Sequence, residues 1–439
     1  MSRPLAITHA TVVTGDARGT LLEDRTITVD DSGLITTVAP TAQVEVPVGA
    51  RVIDATGRFV QPGLINAHAH LFSDGKPLKP VLADPRVGTL VARFLRGPIG
   101  QRWLLGKTRN AVETQLNTGV TTIRSVGDPG YEVVQVDREI REGRLLGPRL
   151  IPSGPLLAIP GGHGAPQIAL IGADADTVRK HVRRSLSRGV RAIKISATAG
   201  VTDAKEVGYA GRPEMTEANM RVICEEAHQA GVLVAAHAQG ADGIRAALRA
   251  GVDTIEHGAN LTDDIIDLFK NNPSSLRGFS ALIPTLMACL PLVKLDRAIT
   301  GANEVAKVNA EMIFEEMLGG IRIALECDIL LGMGTDSALT FVTHYNTWRE
   351  LDFLIRYAGL TPAQALHAAT QANARILGVE DVTGAVEPGR AADLVVTSAN
   401  PLTDIRTLDH PISVVVRGHV IDHPKVERFA ELDQLIDQF

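Results

Sequence analysis

The feature that most constrains the fold is a regular alternation of short apolar runs with amphipathic stretches over most of the chain. Runs of this length are typical of buried β-strands, and the stretches between them carry apolar residues every three or four positions, as helices do. Eight such strand–helix units in succession predict a (β/α)8 TIM barrel of the α/β class. The eight predicted strands are Phe59–Ile65, Val120–Val126, Arg149–Leu156, Ala192–Ala197, Val232–His237, Thr254–His257, Ser280–Thr285 and Ile329–Thr335.

The two ends of the chain lack this alternation and have the pattern of β-structure. Near the start, "RTITVDDSGLITTVAP" alternates apolar and polar residues around a turn, and near the end "ISVVVRGHVIDH" does the same. We therefore predict that residues 1–58 and 388–439 form one small composite β-sandwich domain. Residues 59–387 then form the barrel.

Composition limits the classes of partner and compartment. The chain has 439 residues, 45% of them hydrophobic and 21% charged, which is typical of a globular protein. A net charge of −6 without a long basic run argues against nucleic acid as a partner. Three scattered cysteines and the lack of a long apolar run predict a cytoplasmic protein without disulfides or membrane spans, and homo-oligomer formation is left open.

Metal-ligating side chains recur where the predicted strands end. In "PGLINAHAHLF", His68 and His70 are two residues apart, so both project from the same face of the strand. The fifth, sixth and eighth strands end at His237, His257 and Asp336. In a TIM barrel all these ends face one mouth, where active sites lie. Imidazole nitrogen and carboxylate oxygen suit a borderline divalent ion such as Zn, and five such groups are enough for two ions.

Lys194 lies between two isoleucines in the fourth strand, "RAIKISATAG". An ammonium group beside two dications would be repelled, but a lysine carboxylated by CO2 is an anion and could bridge them. Less specific interpretations stay open at this stage. Each histidine could be a hydrogen-bonded core group, Lys194 could pair with an acid or be neutral, and Asp336 could cap a turn.

Four further residues are candidates for contacts with a substrate. His163 lies in the glycine-rich "PGGHGAP" after the third strand, and Tyr209 and Arg212 lie in "EVGYAGRPE" after the fourth. Tyr209 or His163 could stabilise an oxyanion, Arg212 could bind a carboxylate, and His344 could line the pocket. For each of the first three, an ordinary place on the surface is an alternative.

Three other features follow the same strands. Arg124 is a second candidate partner for a substrate carboxylate. Glu256 precedes His257, and strand alternation predicts that it faces away from the site, with a structural role or a role in orienting a ligand. The long segment from residue 71 to residue 90 could act as a lid.

These motifs resemble the metal-dependent amidohydrolase superfamily. The resemblance rests on "PGLINAHAHLF", "IKISATAGV", "VAAHAQG", "TIEHG", "GMGTDS" and "GAVEPGRAADLVV", which span nearly the whole chain. Within the superfamily, the lysine motif and "GGHG" resemble the prolidase, carboxypeptidase and ochratoxinase branch, whose members have a carboxylated lysine and two metal ions. The resemblance implies that His68, His70 and Asp336 hold the more buried ion.

It also implies that His237 and His257 hold the outer ion and that N6-carboxylated Lys194 bridges the two. The chain departs from this branch at Asn66, where members usually have Asp, and at "SATAG", where they often have "MATGG". The first change removes a charge beside the ligands, and the second alters the wall of the pocket. The mechanism is therefore a firmer expectation than the substrate.

The resulting prediction is a metallopeptidase-like hydrolase that cleaves a peptide or N-acyl amino acid bond. A metal-activated hydroxide attacks the carbonyl, and Asp336 carries the proton to the leaving amine. The alternative enzyme is a cyclic amide or imidazolone hydrolase, or a deaminase-type amidohydrolase, with one metal ion. A non-catalytic relative that keeps only the barrel is a third alternative, although it would be expected to have lost ligands.

Overall fold

A computed structural model of the chain describes residues 3–77, 90–91, 93–95, 97–165 and 167–439. Most of the predicted lid segment, residues 78–89, lies outside these described residues. The strands among them are β1 (Leu5–Val13), β2 (Leu21–Val29), β3 (Ile35–Pro40), β4 (Arg51–Asp54), β5 (Phe59–Pro62), β6 (Leu64–Ala69), β7 (Val120–Ser125), β8 (Arg149–Ile151), β9 (Leu156–Ala158), β10 (Ala169–Ile171), β11 (Ala192–Ser196), β12 (Leu233–Ala238), β13 (Thr254–His257), β14 (Ala281–Ile283), β15 (Leu394–Thr397), β16 (Ser413–Val416) and β17 (His419–Asp422).

Helices alternate with the central strands. They are α1 (Pro98–Asn117), α2 (Glu132–Arg141), α3 (Ala175–Arg188), α4 (Glu217–Gln229), α5 (Ala241–Ala250), α6 (Asp263–Lys270), α7 (Leu286–Lys294), α8 (Arg297–Thr300), α9 (Glu304–Glu326), α10 (Thr347–Ala358), α11 (Pro362–His367), α12 (Asn373–Leu377) and α13 (Ala430–Ile436). A π-helical turn, Ala368–Ala372, joins α11 to α12. Among the described helices, none combines the length and the apolar character needed to cross a lipid bilayer.

Helix α4 shows how local sequence sets these boundaries. Thr216 caps its start by accepting a hydrogen bond from the backbone N–H of Asn219, and Gly231 follows its end with a φ of 70°. Both cap positions match the sequence prediction. The buried face contains Met220 and Ile223, which pack in the main hydrophobic core. The helix therefore covers the sheet with the apolar stripe that its periodicity predicted.

The strands from both chain ends meet in one sheet. Its order is β17-β16-β15-β5-β1-β2-β3, with β4 paired to β1. The two ends join where β5 pairs antiparallel with β15, for example Val60 opposite Val396. Closure of this sheet as a sandwich, and the division into residues 1–58 with 388–439 and residues 59–387, stay predictions.

The predicted first strand, Phe59–Ile65, is wrong as a single element. Its first part is β5 of the terminal sheet, and the parallel strand begins with β6 at Leu64. Gly63 lies between them, where a Cβ atom would collide with the side chain of Thr121. The turn thus depends on a residue without a side chain, and it lets the chain pass from one sheet to the next.

The central strands are parallel and form two sheets, β6-β7-β8 and β10-β9-β11-β12-β13-β14. The predicted third strand is also divided, because β8 ends at Ile151 and β9 begins at Leu156. The turn residues between them, "PSGP", were a signal for this break. The other predicted strands of these sheets are confirmed in place, with ends that differ by a few residues.

The eighth predicted strand is an extended segment with isolated bridges in the described structure. The backbone N–H of Gly332 donates to the carbonyl of Leu282 in β14, and the carbonyl of Met333 accepts from Ala67 in β6. The segment thus lies between the first and seventh parallel strands. Gly334 allows this approach, since a Cβ atom there would collide with His68.

Candidate metal centre

The predicted ligands lie at the carboxyl ends of the parallel strands, and all of them are buried. His68 lies in β6, and His70 follows the end of that strand. The imidazole centroids of His68 and His257 are 5.1 Å apart. His237 on β12 lies 4.6 Å from His257 by the same measure. Four imidazoles from three different strands are therefore neighbours in one place. Asp336 completes the group from the end of the eighth segment.

Asp336 lies at the centre of three ligand side chains. Its Oδ1 atom is 3.2 Å from Nε2 of His68 and 3.0 Å from Nε2 of His70. His68, His257 and Asp336 each offer a ligand atom within 4.8 Å of the others. Although it is this close to two imidazoles, Oδ1 is buried without a hydrogen bond of good geometry in the described structure. A divalent ion at the common point would satisfy these atoms, so the donor set fits a metal.

The protein holds the Nδ1 atom of three of the four imidazoles. Nδ1 of His68 lies 2.6 Å from Oε2 of Glu256, and Nδ1 of His257 lies 2.7 Å from Oγ1 of Thr285. Nδ1 of His70 bonds to the carbonyl of Gly127, which can only accept, so this nitrogen carries the proton. The Nε2 lone pair of His70 is therefore free for a metal. Such anchoring fixes the tautomer and the orientation of a ligating imidazole.

Glu256 and Arg124 form a buried ion pair behind His68. Nη2 of Arg124 donates to Oε1 of Glu256 at 2.7 Å, Nη1 to Thr254 at 2.9 Å and Nε to the carbonyl of Ala67 at 2.6 Å. Burial by itself would raise the pKa of Glu256, but Arg124 and His68 hold it well below its usual range. The carboxylate is therefore ionised and strengthens His68 as a ligand.

This pair corrects two sequence predictions. Arg124 is not available to a substrate carboxylate, because it is fully buried and its donors are directed at protein atoms. Glu256 faces the site rather than away from it. The reason is the backbone of His257, whose φ of 69° breaks the strand alternation, so that consecutive residues both reach the centre. Asp336 also has a positive φ, 57°, and such backbone strain is concentrated at functional sites.

Lys194 and His237 occupy the other side of the centre and have few partners. Nε2 of His237 is buried without a hydrogen bond in the described structure, and its ring stacks on His163 at 4.0 Å. Lys194 is only 3% exposed, and no hydrogen bond or ion pair to its amine occurs among the described residues. Burial lowers the pKa of Lys194 to about 8, against the opposing effect of Glu256 and Asp336. The site therefore makes this amine easier to deprotonate than an exposed lysine.

Comparison with known proteins decides the family. The Amidohydrolase family profile matches residues 59–421, which is most of the chain. The protein belongs to the amidohydrolase family. Members of this family generally use divalent metal ions, for which the cluster of His68, His257 and Asp336 is suited.

Solved structures and a curated relative agree with this assignment. A prolidase candidate from Bifidobacterium longum is 46% identical, with 100% of this chain and 99% of that chain covered and a TM-score of 0.88. A prolidase in complex with N-methylphosphonate-L-proline is 25% identical, with 96% and 100% covered and a TM-score of 0.80. Ochratoxinase from Aspergillus niger is 27% identical over 327 residues, which are 68% of this chain but only 64% of ochratoxinase. The fold is thus of the TIM-barrel type found in these amidohydrolases.

The amidohydrolase has an asparagine at position 66, and its hydrogen bonds match an amide. Nδ2 of Asn66 donates to Oε1 of Gln115 at 3.1 Å and to Oγ1 of Thr335 at 2.8 Å. Its Oδ1 accepts from the backbone N–H of Thr335 at 3.2 Å. An aspartate would have no donor for these two oxygens. The departure from the usual Asp is therefore matched by its neighbours and leaves the ligand strand anchored.

His163 lies directly against the predicted ligand His237. Its ring stacks on His237, its Nδ1 bonds to Asp203, and its backbone N–H donates to Oε2 of Glu214 at 2.8 Å. The partners of His163 were not found from the sequence, because Asp203 is 40 residues away and follows a different strand.

The other predicted substrate contacts lie apart from the metal ligands. Among the described residues, Tyr209 and Arg212 form no hydrogen bond, ion pair or ring contact with those ligands; Arg212 is exposed and pairs with Glu206 at 2.7 Å. His344 has protein partners at both of its nitrogens, and its contact with a substrate stays a prediction. Nε2 lies 2.6 Å from the carbonyl of Ser73, and Nδ1 lies 3.2 Å from Nε2 of Gln115. His344 thus supports neighbouring loops.

Proposed function

We propose that the protein is a binuclear metallohydrolase that cleaves the amide bond of a dipeptide or an N-acyl amino acid. The observation that carries this proposal is the grouping of His68, His70 and Asp336 near Lys194, a buried amine that forms no ion pair among the described residues. We also propose that the parallel strands and the eighth segment close into a (β/α)8 barrel around this centre. Its open mouth then gives a small substrate access to the ligands.

The first ion is assigned to the part of the centre with the most hydrogen bonds to the ligand rings, at His68 and His70. His68, His70 and Asp336 would hold it, with nitrogen and oxygen atoms that suit Zn. These side chains need not move far to bind an ion. The Nε2 atoms of His68 and His70 already lie 3.2 and 3.0 Å from Oδ1 of Asp336, which is about the separation of two ligand atoms on one Zn ion.

The second ion is assigned to His237 and His257, with Lys194 between the two ions. A neutral lysine amine adds to CO2 with formation of an N–C bond and loss of a proton, and the product is a carbamate anion. The burial of Lys194 favours the neutral amine that this reaction needs, and the carbamate would provide the missing negative charge between two dications. The unpartnered Nε2 of His237 is consistent with a ligand role.

When bound, the two ions supply Lewis acidity and lower the pKa of water from about 15.7 towards 7. Asp336 accepts the proton of the attacking water and passes it to the leaving nitrogen. Burial raises the pKa of Asp336, but His68 and His70 hold it well below its usual range, so the carboxylate is ionised. His163 or Tyr209 donates to the tetrahedral oxyanion, a contact worth about 2.7–4 kcal/mol where it is well placed.

The substrate class is inferred from the relatives and from the rim of the site. The prolidase structure with a TM-score of 0.80 contains a phosphonate derivative of proline, an amino acid with a free carboxylate. Arg212, exposed beside Glu206, is the side chain that we assign to such a carboxylate. The expected products are a free amino acid and the acid or amino acid to which it was joined.

Metal content and a substrate panel test this proposal together. We expect about two Zn ions per chain, and hydrolysis of dipeptides or N-acyl amino acids but not of the matched amides without a free carboxylate. One ion per chain with activity on cyclic amides or amidines would favour the alternative enzyme. A metal-free chain that hydrolyses nothing would favour the non-catalytic one. Cytoplasmic location, homo-oligomer formation and the lack of a nucleic acid or membrane partner stay predictions.

A further inference from the structure

A cavity lies at the end of the parallel strands that is opposite the predicted metal ligands. It has a volume of about 350 Å3 and is lined where β14 and the eighth segment begin, at Ser280 and Ile329. The metal ligand Asp336 lies at the other end of that same segment. Small-molecule sites in proteins are concave and start at about 300 Å3, so this cavity is large enough for a ligand.

The lining combines an apolar wall with two cations. Phe279, Leu325 and Leu360 contribute to the wall, whereas Lys270 and Arg375 contribute positive charge. Within the part of the chain that the structure describes, neither of these cations has an ion pair or a side-chain hydrogen bond. The Arg375 guanidinium instead lies 5.2 Å from the centre of the Phe279 ring.

The carboxylates near these cations form no ion pair with them in the described structure, although Glu380 also interacts with Arg375 electrostatically at longer range. Glu380 is bound by Arg277, whose Nη1 lies 3.2 Å from its Oε2. Asp328 is the carboxylate among the described lining residues, and it forms no ion pair there. Nδ1 of His367 donates to the carbonyl of Gly15 at 3.0 Å, which leaves a lone pair on Nε2. Two cations against one carboxylate give the pocket a net positive charge beside an apolar wall.

The space itself comes from an unusual helical turn. The π-helix Ala368–Ala372 borders the cavity with Ala368 and Ala372, whose methyl groups leave room that larger side chains would fill. π-Helical turns occur frequently at functional sites. The next residue, Asn373, donates to the carbonyls of Ile65 and Met333 at 2.6 and 2.8 Å. The pocket wall is therefore connected directly to the two strands that carry His68 and Asp336.

We propose that this cavity binds a small organic carboxylate with an apolar body, at a site separate from the metal centre. The carboxylate pairs with Lys270 and Arg375, and the body packs on Phe279 and the leucine wall. This assignment does not depend on the substrate proposed above.

Calorimetric titration of the full-length, metal-loaded protein with 3-phenylpropionate tests the proposal. The neutral 3-phenylpropanamide, which has the same shape, is the ligand control. We expect the acid to bind at least about tenfold more tightly than the amide, because two charge-assisted contacts are lost with the carboxylate. Equal binding of the two ligands would overturn the proposal.

A pair of matched double variants locates the site. Lys270→Gln with Arg375→Gln removes both pocket cations, and we expect the Kd for the acid to rise about tenfold or more. Lys180→Gln with Arg184→Gln removes two exposed cations of α3 that form no ion pair in the described structure, and it should leave the Kd unchanged. Carboxylates also bind metals, so an affinity unchanged in the pocket variant would assign the probe to the metal centre and overturn the proposal.

A third variant tests the cavity by shape alone. Ala17 is exposed and lines the pocket, so Ala17→Trp would fill its mouth without burying a charge or changing the core. We expect weaker binding of the acid and unchanged hydrolysis of the amide substrate. Wild-type affinity in this variant together with wild-type affinity in the pocket double variant would place the ligand elsewhere.

Discussion

The two halves of the metal centre are constructed differently. On one side, His68 and His70 have their outer nitrogens anchored to Glu256 and to the carbonyl of Gly127. On the other side, Nε2 of His237 is buried without a hydrogen-bond partner among the described residues, and its ring stacks on His163. Hydrogen bonds thus preorganise the first half, whereas the second half contains a buried nitrogen that lacks a hydrogen bond from the described residues.

This difference indicates what each half requires. A buried polar atom without a partner is unfavourable by about 1–3 kcal/mol, so the second half is expected to gain most from a bound ion and from modification of Lys194. The first half should keep its geometry when the second is disturbed. The substitutions below test this asymmetry in order of decreasing expected effect.

The largest effect is expected at Asp336, which faces the anchored half. Asp336→Asn keeps the size of the side chain but removes the proton acceptor, so kcat should fall by about 10²–10⁴-fold. The thermal unfolding midpoint and the far-ultraviolet circular dichroism should stay close to wild type. Near-normal turnover in this variant would remove Asp336 from proton transfer.

Lys194→Ala tests the half without partners. We expect loss of the second ion and of most activity, while the ion bound by His68 and His70 remains. A short carboxylic acid such as propionate should restore part of the activity, because it can take the place of the carbamate. Metal content measured with and without propionate checks this, and Lys180→Ala, an exposed lysine of α3, is the control. Two ions retained without propionate would exclude Lys194 as the bridge.

Glu256→Gln tests the anchoring itself. It leaves Arg124 buried without its counter-ion, and breaking such a pair is unfavourable by about 3–5 kcal/mol. Weaker support of His68 should also lower the affinity for the first ion by about 10–100-fold. Chemical denaturation and metal titration measure the two effects separately.

The control for Glu256 is a charge-balanced variant. Glu256→Gln combined with Arg124→Met should recover part of the stability, because no unpaired charge is buried, but should not recover the metal affinity. Equal recovery of both would mean that Glu256 acts on folding alone.

The same carboxylate predicts a pH dependence. Since the pKa of Glu256 in the folded protein lies below the unfolded value of about 4.3, its contribution to stability is complete above that pH. It is then lost as the pH falls towards the folded pKa. We therefore expect the wild-type unfolding free energy to decrease below about pH 4.3, with a smaller decrease in Glu256→Gln measured over the same range.

How much the sequence could predict depends on whether the signal is local. The sequence predicted that His68, His70, His237, His257 and Asp336 are neighbours because each ends an apolar run, and parallel strands bring such ends to one edge. The helix that begins at Glu217 was found because the cap residue Thr216 directly precedes the apolar residues, such as Met220 and Ile223, that form its buried face. The break at Gly63 was missed, since its cause, contact with Thr121, lies in another strand.

The missed parts of the site are long-range or conformational. The orientation of Glu256 depends on the positive φ of His257, and no spacing rule predicts that φ. Arg124 was misassigned because its partner lies 132 residues away in the sequence. The partners of His344 could not be found from the sequence either, because Ser73 and Gln115 reach it from distant segments.

Asn66→Asp should have the smallest effect, because it lies beside the anchored half without touching an ion. The amide of Asn66 donates to Gln115 and Thr335, and a carboxylate would lose both donor contacts and face the Oε1 atom of Gln115. We expect a loss of about 1–3 kcal/mol in unfolding free energy with little change in kcat. Chemical denaturation and steady-state kinetics measure the two quantities, with Asn110→Asp, exposed on α1 with an Oδ1 atom that accepts from Thr114, as the control. Unchanged stability would mean that Gln115 reorients to donate to the carboxylate, and that the usual Asp fits this strand as well as Asn does.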